Sequence, residues 1–142
     1  PLGIAVPDGF AITTAAYRRF LAHNGLDETL ARELQRLKTG TPLAEVGRAI
    51  REATLRGGLP RDVTDAVLNE YAALATRLGD AAPPVAVRSS ATAEDLPDAS
   101  FAGQQESFLN VQGKAALLDA VPRCFASLYT DRAMAYREHH GI

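Results

Sequence analysis

Two short apolar segments on either side of a long loop constrain the fold of this chain most strongly. Residues 85–87, Val-Ala-Val, follow Pro83 and Pro84. Because Pro84 holds Pro83 in an extended conformation, the backbone enters this apolar segment extended, and a strand is predicted there. A second strand is predicted over Ser107–Val111, placed to pair antiparallel with the first. Such a pair needs a surrounding body to bury one of its faces.

That body is predicted to be helical, with four helices before the strand pair and two after it. We expect a short strand at residues 10–13, with Thr14 capping the first helix and Asp27 capping the second. Pro122 lies inside the fifth helix and is expected to kink it or to break it near Asp119. The fold class is therefore α+β and rich in helix. The aromatic residues that the spacing assigns to the core are Tyr17, Phe20 and Tyr71.

Composition narrows the class of protein. The chain has 142 residues, 46% hydrophobic and 23% charged, which suits one globular domain. Its net charge of −2 comes without a basic stripe, so no nucleic-acid partner is expected. No apolar run approaches the roughly 20 residues that span a bilayer, and the N-terminus lacks the features of a secretion signal. One cysteine, Cys124, excludes an internal disulfide and favours a cytoplasmic protein with a packed thiol.

Arg88 stands where the first predicted strand ends, and a loop of small, hydroxyl-bearing residues follows it. A guanidinium donates hydrogen bonds in a fork and keeps its charge, which suits phosphate oxygens. Small side chains let backbone N–H groups approach an anion closely. The pattern predicts an anion-binding loop, although from the residues alone Arg88 in a strand-end salt bridge and Gly103 in an ordinary turn remain the competing interpretations.

The order of residues over 87–111, VRSSATAEDLPDASFAGQQESFLNV, resembles the nucleotide-binding domain of phosphoenolpyruvate synthases. Pyruvate phosphate dikinase and rifampicin phosphotransferase share that domain. Residues 3–21 resemble the first strand and helix of the family, and residues 124–137 resemble the helix after the loop. The resemblance is weakest over residues 26–79. It implies that residues 1–142 form the helix-rich N-terminal part of an ATP-grasp fold, with a small antiparallel strand pair carrying the phosphate loop.

The resemblance also implies roles for three residues. Arg88 matches an arginine that contacts the ATP phosphates, which makes it both a catalytic and an ATP-binding residue. Gly103 matches a loop glycine whose backbone meets the nucleotide, and Ser107 takes the place of a hydroxyl that touches phosphate. Residues 99–105 would then form a lid over the triphosphate.

The reaction that the resemblance implies converts ATP, pyruvate and water to phosphoenolpyruvate, AMP and phosphate. In the family a histidine on a separate domain carries the phosphoryl group, and relatives pass it to rifampicin instead of pyruvate. Mg²⁺ is implied as well, with its ligands outside this chain. Glu94 and Asp95 are interpreted as a solvated loop face, and no metal ligand is assigned among the residues present.

The resemblance finally predicts what lies outside the chain. The family's ATP-binding lysine segment is expected upstream of Gly3, and the second grasp subdomain and the phosphohistidine domain are expected beyond Ile142. The isolated chain is therefore expected to be inactive and to bind ATP weakly at best. The alternative is a non-catalytic, truncated module that binds a nucleotide or a partner surface.

Overall fold

A computed structural model describes residues 7–90, 95–96, 99–100 and 107–140 of the chain. Its element order is four helices, two pairs of strands, and two further helices joined by a 3₁₀ turn at Ser127–Tyr129. The helices are α1 (Thr14–His23), α2 (Leu26–Lys38), α3 (Leu43–Arg56), α4 (Arg61–Leu78), α5 (Lys114–Ala126) and α6 (Asp131–His140). The strands are β1 (Val85–Arg88), β2 (Asp95–Leu96), β3 (Ala99–Ser100) and β4 (Ser107–Val111).

The predicted α+β class is confirmed, as is the antiparallel pairing of the two longer strands. β1 pairs with β4, and the much shorter β2 pairs with β3. Alternate side chains of β1 and β4 pack against α4 and α5, which buries one face of the strand pair. The helical body therefore supplies the apolar surface that a two-stranded pair needs for stability.

Two predicted helix caps are wrong, by one residue for α1 and by two residues for α2. Thr13, rather than Thr14, is the N-cap of α1, because its extended backbone lets the side-chain oxygen accept a hydrogen bond from the Ala16 N–H at 3.2 Å. α2 starts at Leu26, directly after Gly25 in the left-handed conformation, so Asp27 lies in the first turn and not at the cap. The turn between the two helices is too short to leave a separate capping position for Asp27.

The predicted strand at residues 10–13 and the predicted helix break near Asp119 are also wrong, whereas the kink expected at Pro122 stays a prediction. Residues 10–13 form no strand with any part of the chain that the structure describes, although Phe10 and Ile12 still pack against the core. α5 continues from Lys114 to Ala126 through Pro122, without a break near Asp119. Val121 and Cys124 flank the proline and are buried, and this packing outweighs the one backbone hydrogen bond that proline removes.

The largest apolar cluster lies between α4, α5 and the strand pair. α4 forms because its apolar residues recur at helical spacing, and it ends where Gly79 adopts the left-handed conformation. Its side chains meet those of α5 and of the inner strand face. The buried members are Val63, Val67, Tyr71, Val111, Leu117 and Ala120.

The predicted core aromatics are largely where the spacing puts them. Phe20 and Tyr71 are buried, and Tyr17 is half-buried beside Phe125, with ring centroids 4.8 Å apart. Cys124 is buried, as predicted for a packed thiol. Within the described part of the chain, no helix combines the length and apolar character that a membrane crossing requires.

Candidate functional site

The β1–β4 pair has an inner face that packs on the helices and an outer face that does not. Inner and outer residues alternate along β1, and they alternate along β4 except at Leu109 and Asn110, which are both exposed. Val111 is buried and the other inner residues are half-buried. The inner residues are Val85, Val87, Phe108 and Val111. The exposed outer residues are Ala86, Arg88, Ser107 and Leu109.

Arg88 and Ser107 lie directly opposite each other at the end of the strand pair from which the long loop departs. Residues in such a cross-strand pair have Cβ atoms about 4.5–5.5 Å apart, close enough for both side chains to contact one small anion. Both residues are exposed. The structure describes no ion pair between Arg88 and any carboxylate in residues 7–90 and 107–139.

Gly103, the third predicted site residue, and Glu94 both lie outside the residues that the structure describes. Of the predicted lid, residues 99–100 form β3, whose backbone pairs antiparallel with β2. The roles assigned to Gly103 and to the lid stay predictions.

An irregular register separates the Arg88–Ser107 pair from the rest of the ladder. Val85 lies opposite Val111, and Val87 lies opposite Phe108, so β4 contains one residue more than β1 between these two pairs. Asn110 accommodates the extra residue with a φ of 54°, in the left-handed region, where asparagine is enriched among residues other than glycine. The bulge is not predicted from the sequence, although Asn110 inside an otherwise apolar strand is a local indication of an irregular backbone.

The opposite end of the strand pair is fixed to α4 by a tyrosine hydroxyl. Tyr71 Oη donates a hydrogen bond to the Pro83 carbonyl oxygen at 2.8 Å and accepts one from the Gly113 N–H at 3.0 Å. Tyr71 is only 2% exposed, so these bonds are shielded from water. Gln112 Nε2 adds a bond to the Ala82 carbonyl oxygen at 2.9 Å. We call this arrangement the closed end of the strand pair, and the Arg88–Ser107 end the open end.

A second arginine lies beneath the strand pair. The Arg123 guanidinium carbon is 5.3 Å from the centroid of the Phe108 ring, and its Nη1 is 3.4 Å from Asp119 Oδ2. Arg123 also lines a shallow groove of about 330 Å³ between α5 and the loop at Gly57 and Gly58. The spacing of Asp119 and Arg123 predicts their contact within a helix, but the contact with Phe108 depends on the fold.

The described part of the site suits a phosphate better than a metal ion. Its exposed cation and hydroxyl offer hydrogen-bond donors to phosphate oxygens. No group of three or more His, Cys, Asp or Glu side chains with metal-binding geometry occurs in the part of the chain whose side chains are described. Mg²⁺ prefers several oxygen ligands, and neither Arg88 nor Ser107 offers it a carboxylate.

The helical body and its strand pair thus form an α+β fold with an exposed cation and hydroxyl at one end of the strands. The family described as "Pyruvate phosphate dikinase, AMP/ATP-binding domain" matches residues 1–142, and the chain belongs to this family. It is 49% identical over 142 residues to the phosphoenolpyruvate synthase of Neisseria meningitidis serogroup B, and 47% identical over 144 residues to that of Aquifex aeolicus. It is 43% identical over 142 residues to a probable phosphoenolpyruvate synthase of Methanothermobacter thermautotrophicus.

These alignments cover 99%, 100% and 99% of this chain, but only 18%, 17% and 21% of the respective relatives. The chain therefore spans about a fifth of the length of the curated relatives that it matches. The resemblance inferred from residues 87–111 is confirmed at the level of the family.

Proposed function

We propose that the open end of the β1–β4 pair binds the phosphates of ATP, with Arg88 as the principal contact. The observation that carries this proposal is the cross-strand pairing of Arg88 with Ser107 on an exposed face, in a chain of an AMP/ATP-binding family. Gly103 is proposed as a third contact, through its backbone N–H. A guanidinium, a hydroxyl and a main-chain donor together match the acceptor-only surface of a polyphosphate.

The position of Arg88 suits phosphoryl transfer. Catalysis of this reaction depends on positioning and on stabilising negative charge that is spread over phosphate oxygens. Arg88 ends a strand whose inner face is packed on α4 and α5, so the backbone that carries the guanidinium is held in place before the ligand arrives. Ser107, on the neighbouring strand, donates to the same anion and limits how it can rotate.

The relatives named phosphoenolpyruvate synthase support a proposal about the wider activity. We propose that residues 1–142 are the N-terminal part of an ATP-grasp domain in a cytoplasmic enzyme. That enzyme converts ATP, pyruvate and water to phosphoenolpyruvate, AMP and phosphate through a phosphohistidine on another domain. Mg²⁺ would be held by residues outside this chain. The equivalent part of a rifampicin phosphotransferase is the alternative with the same ATP site.

A titration with ATP tests the proposed site. We would measure the affinity of the full-length protein for ATP by calorimetry, as wild type and as Arg88→Ala. Loss of a charged hydrogen-bonding partner is expected to weaken binding at least tenfold, since such bonds contribute about 1.5–3 kcal/mol. Arg48→Ala is the matched control, because Arg48 is an exposed arginine on α3 that forms no ion pair with the residues described.

The two outcomes of this titration are distinct. Weaker binding in Arg88→Ala with wild-type affinity in Arg48→Ala supports the site. Equal affinity in all three proteins would remove Arg88 from the nucleotide site.

One observation favours a second candidate function, a non-catalytic module that binds a partner surface. Leu109 is 70% exposed on the outer strand face, which is unusual for a large apolar side chain in a strand. Arg88 lies on the same exposed face as Leu109. If that face binds a partner and not ATP, replacing Arg88 will leave the affinity for ATP unchanged. The titration above therefore also separates these two functions.

A further inference from the structure

The bulge in β4 determines which side chains share the outer face with Arg88. In a regular antiparallel ladder that keeps Val85 opposite Val111, Phe108 would lie opposite Arg88 and Leu109 opposite Val87. Because side chains alternate, such a strand would turn Ser107 inward and expose Phe108. The observed bulge reverses both positions, so that Ser107 is exposed opposite Arg88 while Phe108 packs on the inner face above Arg123.

Because the closed end is held in place, the extra residue in the β4 bulge changes the pairing of the strands only at the open end. The Gly113 N–H donates a hydrogen bond to Tyr71 Oη, and Gln112 Nε2 donates one to the Ala82 carbonyl oxygen. The C-terminal end of β4 therefore cannot shift along β1 without breaking these bonds. Val111 is also buried in the cluster that includes Tyr71. A change in register can therefore move only residues 107–110, which precede Val111 and include Ser107.

We propose that Asn110 is a positioning residue, and that the bulge it permits places Ser107 beside Arg88 in one anion site. This inference rests on the proposed function of the open end. Asn110 is exposed, so core packing does not explain its identity. Its φ of 54° does, because asparagine and glycine adopt the left-handed region more readily than a β-branched residue.

Substitutions at position 110 separate backbone conformation from side-chain chemistry. Asn110→Gly keeps the left-handed conformation accessible and is the matched control. Asn110→Val penalises that conformation and favours a regular strand, and Asn110→Ala is intermediate. Because position 110 is exposed, none of the substituted side chains removes or adds a core contact itself, and any change at Phe108 or Ser107 comes from the register of the strand.

Two readouts are measured on each variant in the full-length protein. The first is calorimetric affinity for ATP, in which Asn110→Gly is expected to stay within twofold of wild type and Asn110→Val to bind about tenfold more weakly. The second uses Ser107→Cys, whose thiol reports by its rate of maleimide labelling whether position 107 is exposed. Cys124 is buried and supplies the slow reference. Labelling at position 107 is expected to be fast when Asn110 is retained or replaced by glycine, and at least tenfold slower when it is replaced by valine.

The labelling readout does not depend on ATP, so it separates failure of this inference from failure of the proposed function. If Asn110→Val folds, labels at the wild-type rate and binds ATP normally, the positioning role is wrong. Should Asn110→Val not fold, Asn110→Ala tests the inference instead. Its labelling rate and its ATP affinity are expected to be lower than those of Asn110→Gly. Wild-type values for the alanine variant would then overturn the inference. Slow labelling in a protein whose ATP affinity never depended on Arg88 would instead contradict the proposed function alone.

Discussion

The two ends of the β1–β4 pair are built from the same strands but differ in burial and in hydrogen bonding. At the closed end a buried tyrosine hydroxyl joins both strand termini to α4, and Val111 enters the core. At the open end Arg88 and Ser107 face away from the core, opposite each other. The difference shows how a small strand pair can carry an exposed cation on an anchored backbone, since the hydrogen bonds and packing at the closed end hold the strands while the open end stays exposed.

The largest expected effect comes from the open end. Arg88→Ala is expected to lower the rate of phosphoryl transfer in the full-length protein at least a hundredfold, because loss of one preorganised charge-stabilising donor costs about 2.7–4 kcal/mol in transition-state energy. Its melting temperature should stay within a degree or two of wild type, because Arg88 is exposed and forms no described ion pair. Steady-state kinetics and thermal melting check both parts.

This comparison has its own control. Arg88→Lys keeps the charge but loses the planar fork, and is expected to recover part of the rate. Wild-type kinetics in Arg88→Ala would show that the open end does not contribute to catalysis.

The closed end is expected to behave in the opposite way. Tyr71→Phe leaves the Pro83 carbonyl oxygen and the Gly113 N–H without their partner. An unsatisfied buried group costs about 1–3 kcal/mol, so the free energy of unfolding is expected to fall by about 2 kcal/mol. Denaturation with urea measures this change.

Thr76→Ala is a comparison variant for Tyr71→Phe, because its hydroxyl also bonds a backbone carbonyl, that of Ala72, but is exposed on the same helix. It is expected to change stability by less than about 0.5 kcal/mol. Equal effects of the two variants would mean that the closed end has no special role in stability.

Ser107→Ala should have a smaller effect on the open end than Arg88→Ala. The hydroxyl carries no charge of its own and donates one hydrogen bond to an ionised phosphate oxygen, so the loss is expected at the lower end of the about 1.5–3 kcal/mol of such bonds, which is about tenfold in ATP affinity. Ser107→Thr retains the hydroxyl and is expected to bind within twofold of wild type. Calorimetry on both variants measures the difference, and equal affinities for alanine and serine would exclude Ser107 from the site.

The smallest effect concerns the ion pair between Asp8 and Arg77, which takes part in neither end of the strand pair. Arg77 Nε donates to Asp8 Oδ2 at 2.7 Å, and this hydrogen bond holds the pKa of the Asp8 carboxyl below its ordinary value of 3.8. A carboxyl with a lowered pKa stabilises the fold above its unfolded pKa, and this stabilisation is lost as the pH falls through the folded value. Both side chains are substantially exposed, so the effect is small.

The test of this ion pair is the melting temperature of wild type and Asp8→Asn as a function of pH. Wild type should melt slightly higher at pH 6–7, and the two curves should converge as the pH falls below 3.8. A difference that persists undiminished in acid would show that charge is not the cause.

The sequence alone predicts those features that depend on residues close to one another along the chain. The helices, the strand pair and the place of Arg88 at a strand end all follow from local periodicity and from Pro83 and Pro84. The burial of Tyr71 is also predicted by spacing. The role of its hydroxyl is not, because its partners Pro83 and Gly113 are 12 and 42 residues away along the chain.

The register of β4 shows the same limit. Alternation over residues 107–111 suits either a regular strand or a bulged one, and only the packing of Phe108 and Val111 on the helices decides between them. The helix break predicted near Asp119 does not occur for a related reason, since the proline penalty is local and the burial that outweighs it comes from the fold.

A crystal structure of the full-length protein with a non-hydrolysable ATP analogue tests the central claim most directly. The account predicts that the Arg88 guanidinium and the Ser107 hydroxyl both lie within about 2.7–3.2 Å of phosphate oxygens, on the outer face of the β1–β4 pair. A nucleotide bound elsewhere, with Arg88 paired to a carboxylate, would contradict it.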